Sequence, residues 1–104
     1  MHIFILGSHK TYTSSFVKFL NSSPDTLILF ERYNKLHLKK NRGNYTESSF
    51  LEYVNWMDEL LSDKYTNYGD KIQVVRYHKT KTVESFISKN CRNAKILHPV
   101  REVT

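Results

Sequence analysis

Cysteine is almost absent from this sequence, with Cys91 the single one among 104 residues. One thiol cannot form a disulfide framework within the chain, and it excludes a metal site built from several cysteines. Glycine and proline are also scarce, at three and two residues. The composition is that of a globular protein and not of a disordered chain. We therefore expect one domain covering residues 1–104.

Long apolar runs are missing as well. No stretch approaches the roughly 20 apolar residues that a membrane-spanning helix needs. The N-terminal run, His2–Leu6, is too short for a signal peptide and lacks both a basic flank and a small-residue cleavage site. We expect no membrane span and a cytoplasmic location. The five histidines show no metal-ligand spacing, so we expect no metal cofactor.

Acidic residues are outnumbered, because 16 Lys and Arg against 10 Asp and Glu give a formal net charge of +6. A basic balance favours anionic partners, including nucleotides, sulfated or phosphorylated groups and nucleic acid, without choosing among them. The densest basic stretch, Lys35–Arg42, is either a solvated surface or an anion-facing one. A non-catalytic domain that binds anions or nucleic acid is therefore one alternative function.

The hydrophobic pattern predicts strands alternating with helices. The predicted strands are His2–Leu6, Thr26–Phe30, Ile72–Tyr77 and Ala94–Leu97. The predicted helices are Thr13–Asn21, Glu47–Leu61 and Thr82–Lys89, with residues 32–46 irregular and Asn67–Asp70 a turn. This order implies a three-layer α/β fold in which about four parallel strands are joined by helical crossovers.

The segment Gly7–Ser15, which reads Gly-Ser-His-Lys-Thr-Tyr-Thr-Ser-Ser, follows the first strand and leads into a helix. Ligands of such sheets bind beyond the carboxyl ends of the strands, and a helix N-terminus attracts phosphate groups. Lys10 would add a full positive charge. No Gly-Lys pair is present, which argues against a nucleotide kinase or a similar phosphate-loop enzyme. The alternative is an ordinary turn in which Thr13 or Ser14 caps the helix.

Gly7–Ser15 resembles the 5′-phosphosulfate loop of sulfotransferases, which runs roughly Gly-x-x-Lys-[Ser/Thr]-Gly-Thr-[Ser/Thr]. One position departs from that pattern, since Tyr12 stands where the family has its second glycine. A tyrosine costs on the order of 1 kcal/mol there if φ must be positive. The resemblance implies a P-loop-like nucleotide-binding fold with 3′-phosphoadenosine 5′-phosphosulfate as the co-substrate, and no metal.

The resemblance also implies the roles of the loop residues. Lys10 would stabilise charge on the departing phosphate oxygen. The residues that would bind the donor are Gly7, Ser8, His9, Lys10, Thr11, Tyr12, Thr13 and Ser14.

Two later stretches are similar to the family in a less specific way. Lys79 and Thr80 match a Lys-[Ser/Thr]-Pro segment that lies near the substrates, although a surface lysine is the simpler interpretation. Asn93–Val103 is similar to the segment that binds the donor's 3′-phosphate. Leu97 occupies the position of the family's arginine, so Arg101 is the candidate substitute.

A sulfotransferase needs a base for its acceptor, a hydroxyl or amine on a small molecule or carbohydrate. Glu31 follows the second predicted strand and His78 the third, and family members place their base at one of these two positions. Glu31 is alternatively the salt-bridge partner of Lys10. The family's domains are longer than this chain, so we expect an incomplete N-terminal part of the fold, which leaves catalytic activity open. An open sheet edge makes self-association a further expectation.

Overall fold

The computed structural model describes residues 1–7, 13–74 and 77–98, and the side chains of residues 13–16, 77 and 78 lie outside that description. The strands are β1 (His2–Gly7), β2 (Thr26–Phe30), β3 (Asn67–Gln73) and β4 (Lys95–Leu97). The helices are α1 (Thr13–Asn21), α2 (Glu47–Leu61) and α3 (Tyr77–Asn90), with a π-helical segment at Asn34–Leu38. No helix in these ranges is long and apolar enough to cross a membrane.

The four strands form one parallel sheet in the order β2-β3-β1-β4, which confirms the predicted α/β class. Successive side chains of a strand point to opposite faces, and β1 shows this clearly. Phe4 and Leu6 pack in one core with α2 and α3. Ile3 and Ile5 pack in a second core with Val17 of α1. Helices therefore cover both faces of the sheet, as a three-layer fold requires.

The connections from β1 and β3 leave the sheet on opposite faces. The chain passes from β1 to the outer strand β2 through α1, and from β3 to β4 through α3. Crossovers between parallel strands are right-handed, so two crossovers that run in opposite directions must lie on opposite faces. Because β1 and β3 are neighbours, the point where their chains diverge is a topological switch point.

The third strand lies earlier in the chain than predicted, and the predicted turn at Asn67–Asp70 is wrong. Asn67, Gly69 and Asp70 favour a turn locally, yet pairing with β1 and β2 draws them into the ladder, where Gly69 lies opposite Ile3. A Cβ atom at Gly69 would overlap the Ile3 carbonyl oxygen. The strand ends at Gln73, so α3 begins earlier than predicted, at Tyr77.

Residues 32–46 are more ordered than predicted, because they contain the π-helical segment. The N–H of Lys39 donates to the Asn34 carbonyl at 3.1 Å, which closes the wide turn. Gly43 then takes a φ of 82°, a conformation that glycine adopts readily. The predicted α2 helix is confirmed, and its N-cap is Thr46, whose hydroxyl accepts from the Ser49 N–H.

The outer edge of β2 is partly covered. The Asn21 side chain donates to the Ile28 carbonyl at 3.0 Å and accepts from the Ile28 N–H at 2.6 Å. These bonds occupy the backbone groups through which another strand would pair with Ile28. Self-association through a sheet edge stays a prediction.

Candidate functional site

All four strands are parallel, so their carboxyl ends meet at one edge of the sheet, which we call the carboxyl edge. Here β1 ends at Gly7, and the Gly7 carbonyl accepts from the Val74 N–H at 3.0 Å. The neighbouring strands β1 and β3 thus stay paired up to the switch point. The segment after Gly7 joins this edge to α1, which begins at Thr13. That is the connection expected of a phosphate-binding loop.

Most of the predicted donor-binding residues cannot be placed by side chain. Thr13 and Ser14 belong to the first turn of α1, but their side chains lie outside the described part. Whole residues outside the described ranges are Ser8, His9, Lys10, Thr11, Tyr12 and Arg101. Their roles stay predictions.

Glu31, the predicted base, lies at the carboxyl edge directly after β2. Its φ is 55°, which is uncommon for a residue other than glycine and costs roughly 1–3 kcal/mol. The Glu31 N–H donates to the Lys71 carbonyl at 2.8 Å, which extends the ladder to β3. Its carboxylate lies 3.9 Å from the Lys71 ammonium, and its side chain is 20% exposed. The described ion-pair partner of Glu31 is therefore Lys71.

Lys71 is a functional candidate that the sequence analysis missed. It lies within β3, between Ile5 of β1 and Phe30 of β2, and is 1% exposed. Its ammonium stands 5.1 Å from the centre of the Phe30 ring. Burial lowers the pKa of Lys71, while the carboxylates of Glu31 and Asp70 oppose that change. Had the third predicted strand been extended toward the N-terminus from Ile72, the sequence would have placed Lys71 at a buried position of the sheet.

Asp70 points to the opposite face of β3 and is fully buried. Its carboxylate accepts from the Tyr33 N–H at 2.9 Å and from the Arg32 N–H at 3.3 Å. Burial raises the pKa of Asp70 to about 6, and those two N–H groups oppose the rise. The buried Tyr53 hydroxyl interacts with the Asp70 carboxylate and likewise opposes the rise. Asp70 thus holds the start of the helical turn that leads into Asn34–Leu38.

Asn34 and Tyr45 continue the hydrogen-bonding pattern past the end of β2. The Asn34 side chain accepts from the Gln73 N–H at 2.9 Å and donates to the Gln73 carbonyl at 3.0 Å. The Tyr45 hydroxyl donates to the same carbonyl at 2.9 Å. These contacts fix the residue at which β3 ends. Neither Asn34 nor Tyr45 was singled out by the sequence pattern.

The sequence predicts that the substrate-binding residues Lys79 and Thr80 directly follow the third strand. This prediction of their local structure is wrong, because β3 ends at Gln73. Both lie near the start of α3 and are half-buried. The Lys79 ammonium is 6.0 Å from the centre of the Tyr45 ring, which places it near the carboxyl edge. His78 also belongs to α3 instead of a strand end, and its side chain lies outside the described part.

The basic stretch Lys35–Arg42 borders a pocket. This pocket has a volume of about 140 Å³ and lies between the π-helical segment and the start of α2. Its lining is polar, consisting of His37, Lys40, Asn41, Thr46, Ser48, Ser49 and Glu52.

The described geometry brings Gly7, Glu31, Lys71 and Lys79 to the carboxyl edge, and none of these residues lines the basic pocket. A buried cation and a carboxylate there can bind an anion and accept a proton. No protein-family model matches the chain, and neither a curated protein nor a solved structure matches it.

Proposed function

We propose that this chain is a sulfotransferase-like domain that binds 3′-phosphoadenosine 5′-phosphosulfate at the carboxyl edge. Gly7–Ser14 would surround the 5′-phosphosulfate in a P-loop-like arrangement. The observation that carries the proposal is that Gly7 ends an interior strand at the switch point between β1 and β3. Parallel α/β sheets bind ligands in the crevice at this point. The adjacent N-terminus of α1 offers free N–H groups and a partial positive charge.

The chemistry would be a direct transfer of the sulfonate. The acceptor oxygen or nitrogen attacks sulfur in line, and the bond from sulfur to the 5′-phosphate oxygen breaks. Lys10 would stabilise the negative charge that develops on that oxygen. Glu31 would take the acceptor's proton, and its position at the carboxyl edge, one-fifth exposed, supports this role. The products would be the sulfated acceptor and adenosine 3′,5′-bisphosphate.

Calorimetric titration with adenosine 3′,5′-bisphosphate tests the proposal. We expect saturable binding that is tighter than that of 5′-AMP or of ATP with Mg²⁺. Lys10→Ala should weaken it by about ten-fold or more, since a charge-assisted hydrogen bond contributes roughly 1.5–3 kcal/mol. The matched control is Lys18→Ala, which removes the same charge from an exposed position in the last turn of α1.

Three results would contradict the proposal. Absence of binding in a folded protein would remove the nucleotide assignment. Preference for ATP with Mg²⁺ would favour a nucleotide kinase. Equal weakening by Lys10→Ala and Lys18→Ala would show that net charge, and not the loop, governs the interaction.

The pocket beside His37 and Lys40 favours one second candidate, a non-catalytic domain that binds anions or nucleic acid. Its cationic lining belongs to the densest basic stretch of the chain. Binding of this kind would depend steeply on salt and would show no preference for a 3′-phosphate. Lys40→Ala would weaken it while Lys10→Ala would not.

A further inference from the structure

Lys71 carries a buried charge that has no close hydrogen-bond acceptor among the described residues. The side chain is 1% exposed, and burial of an ammonium is unfavourable unless it is paired and hydrogen-bonded. Its contacts among the described residues are the Glu31 carboxylate at 3.9 Å and the Phe30 ring at 5.1 Å. At 3.9 Å the ion pair exceeds hydrogen-bond length. The described residues therefore leave the three N–H donors of the ammonium without a close acceptor.

The ammonium points toward the carboxyl edge on the face that α1 covers. Lys71 lies beside Ile5, whose side chain packs against Val17 of α1, and laterally paired residues of a sheet share a face. The pairing partner of Lys71 in β2 is Phe30, yet the ammonium approaches Glu31, one residue further along. The buried charge thus lies on the side of the sheet to which the segment after Gly7 leads.

Glu31 shows the features of a displaceable counter-ion. Its side chain is 20% exposed while that of Lys71 is 1% exposed, so Glu31 can reach solvent without unfolding the sheet. Its backbone holds a φ of 55°, and such strain in residues other than glycine clusters at functional sites. The bond from the Glu31 N–H to the Lys71 carbonyl, at 2.8 Å, fixes the backbone independently of the carboxylate.

We propose that Lys71 is an anion-binding residue of the carboxyl edge, and that Glu31 is the counter-ion that an incoming sulfonate or phosphate group displaces. The ligand's oxygen atoms would accept the hydrogen bonds that Glu31 is too distant to accept. The released Glu31 carboxylate would then be available to the acceptor's proton. The identity of the ligand as a nucleotide rests on the proposed function, whereas the exchange of an oxyanion for Glu31 does not.

Titration with inorganic sulfate, followed by adenosine 3′,5′-bisphosphate, tests this exchange. The proteins are the wild type, Glu31→Gln, Lys71→Met and the double variant Glu31→Gln/Lys71→Met. Glu31→Gln removes the competitor, so its sulfate affinity should rise on the order of five-fold or more, the lower end of typical site-to-site coupling. Lys71→Met and the double variant should lose this binding. Glu59→Gln, an exposed carboxylate of α2, is the matched control and should leave sulfate affinity unchanged.

Melting temperature provides a second measurement. Glu31→Gln leaves a buried cation without its counter-ion, so it should melt below the wild type in chloride and recover as sulfate is added. The double variant removes both charges. It should remain folded by circular dichroism and show no response to sulfate beyond that of Glu59→Gln.

The outcomes separate this inference from the proposed function. Unchanged sulfate affinity in a folded Glu31→Gln overturns the exchange, even if the bisphosphate binds and Lys10→Ala weakens it. A gain in sulfate affinity that requires Lys71 supports the exchange. If the bisphosphate binds no better than 5′-AMP, only the nucleotide assignment is removed and the exchange still stands. Absence of sulfate binding in every variant overturns the exchange.

Discussion

Protonation of the buried Asp70 carboxylate should make the stability of the fold depend on pH in an unusual direction. Most carboxylates in folded proteins have a lowered pKa and stabilise the fold as pH rises. Burial instead raises the pKa of Asp70 from its ordinary 3.8 to about 6, despite the N–H groups of Tyr33 and Arg32. The neighbouring charge of Glu31 adds to the rise, and the buried cation Lys71 lies on the other face of β3.

The size of the effect follows from the two pKa values. Between about pH 4 and pH 6 the folded protein keeps the Asp70 proton while the unfolded chain has lost it. The contribution of Asp70 to stability is therefore complete below pH 3.8 and is lost as pH rises through about 6. At roughly 1.4 kcal/mol per pH unit, the free energy of unfolding should lose about 3 kcal/mol from this group.

Urea unfolding at several pH values from 4 to 8 measures this contribution. Asp70→Asn removes the titrating group. Subtracting the variant's free energy of unfolding from that of the wild type therefore cancels the pH-dependent contributions of the other carboxylates. This difference should fall by roughly 2–3 kcal/mol as pH rises from 4 to 7. For Asp63→Asn, an exposed control, the difference should stay nearly constant. A difference for Asp70→Asn that is flat with pH, or that rises, would refute the reasoning.

Two further substitutions test the pairing of the strands. Gly69→Ala should destabilise the fold by about 1–3 kcal/mol or more, because its Cβ would overlap the Ile3 carbonyl oxygen and force β1 and β3 apart; wild-type stability in urea unfolding would contradict this close approach. Asn34→Ala should cost roughly 1–3 kcal/mol, because it leaves the Gln73 N–H without its acceptor and removes one donor to the Gln73 carbonyl. Hydrogen exchange at Gln73 should quicken in that variant, and an unchanged exchange rate would show that the Asn34 contacts are not formed.

The parts of the fold that the sequence predicted best are those with strong local patterns. The bounds of α1, α2 and β2 agree with the structure. In α2, the apolar residues Phe50, Val54, Met57 and Leu61 recur at helical spacing, and all are buried. Such a pattern is contained in the segment itself, so no knowledge of its neighbours is needed.

The position of β3 along the chain was not predictable in the same way. Asp70 and Lys71 are polar residues whose burial depends on partners distant in the sequence. The N–H groups of Arg32 and Tyr33 donate to the Asp70 carboxylate, and Glu31 pairs with Lys71. Local preference predicts a turn at Asn67–Asp70, and tertiary pairing with β1 and β2 overrides it.

The sequence predicted that Glu31 and the segment after Gly7 share the carboxyl edge, but it did not predict that Lys71 lies there. Parallel topology alone places Glu31 and the segment after Gly7 at one edge of the sheet. The contribution of Lys71 required the register of β3, since a shift of one residue would turn its side chain to the opposite face.

The central claim is that an adenosine 3′,5′-bisphosphate group binds at the carboxyl edge between β1 and β3. The most direct test is a titration of isotopically labelled protein with adenosine 3′,5′-bisphosphate, followed by backbone amide NMR. The account predicts saturable shifts that are largest from Gly7 to Ser14 and at Glu31 and Lys71. Largest shifts around the basic pocket, from His37 to Glu52, or no saturable shifts at all, would contradict it.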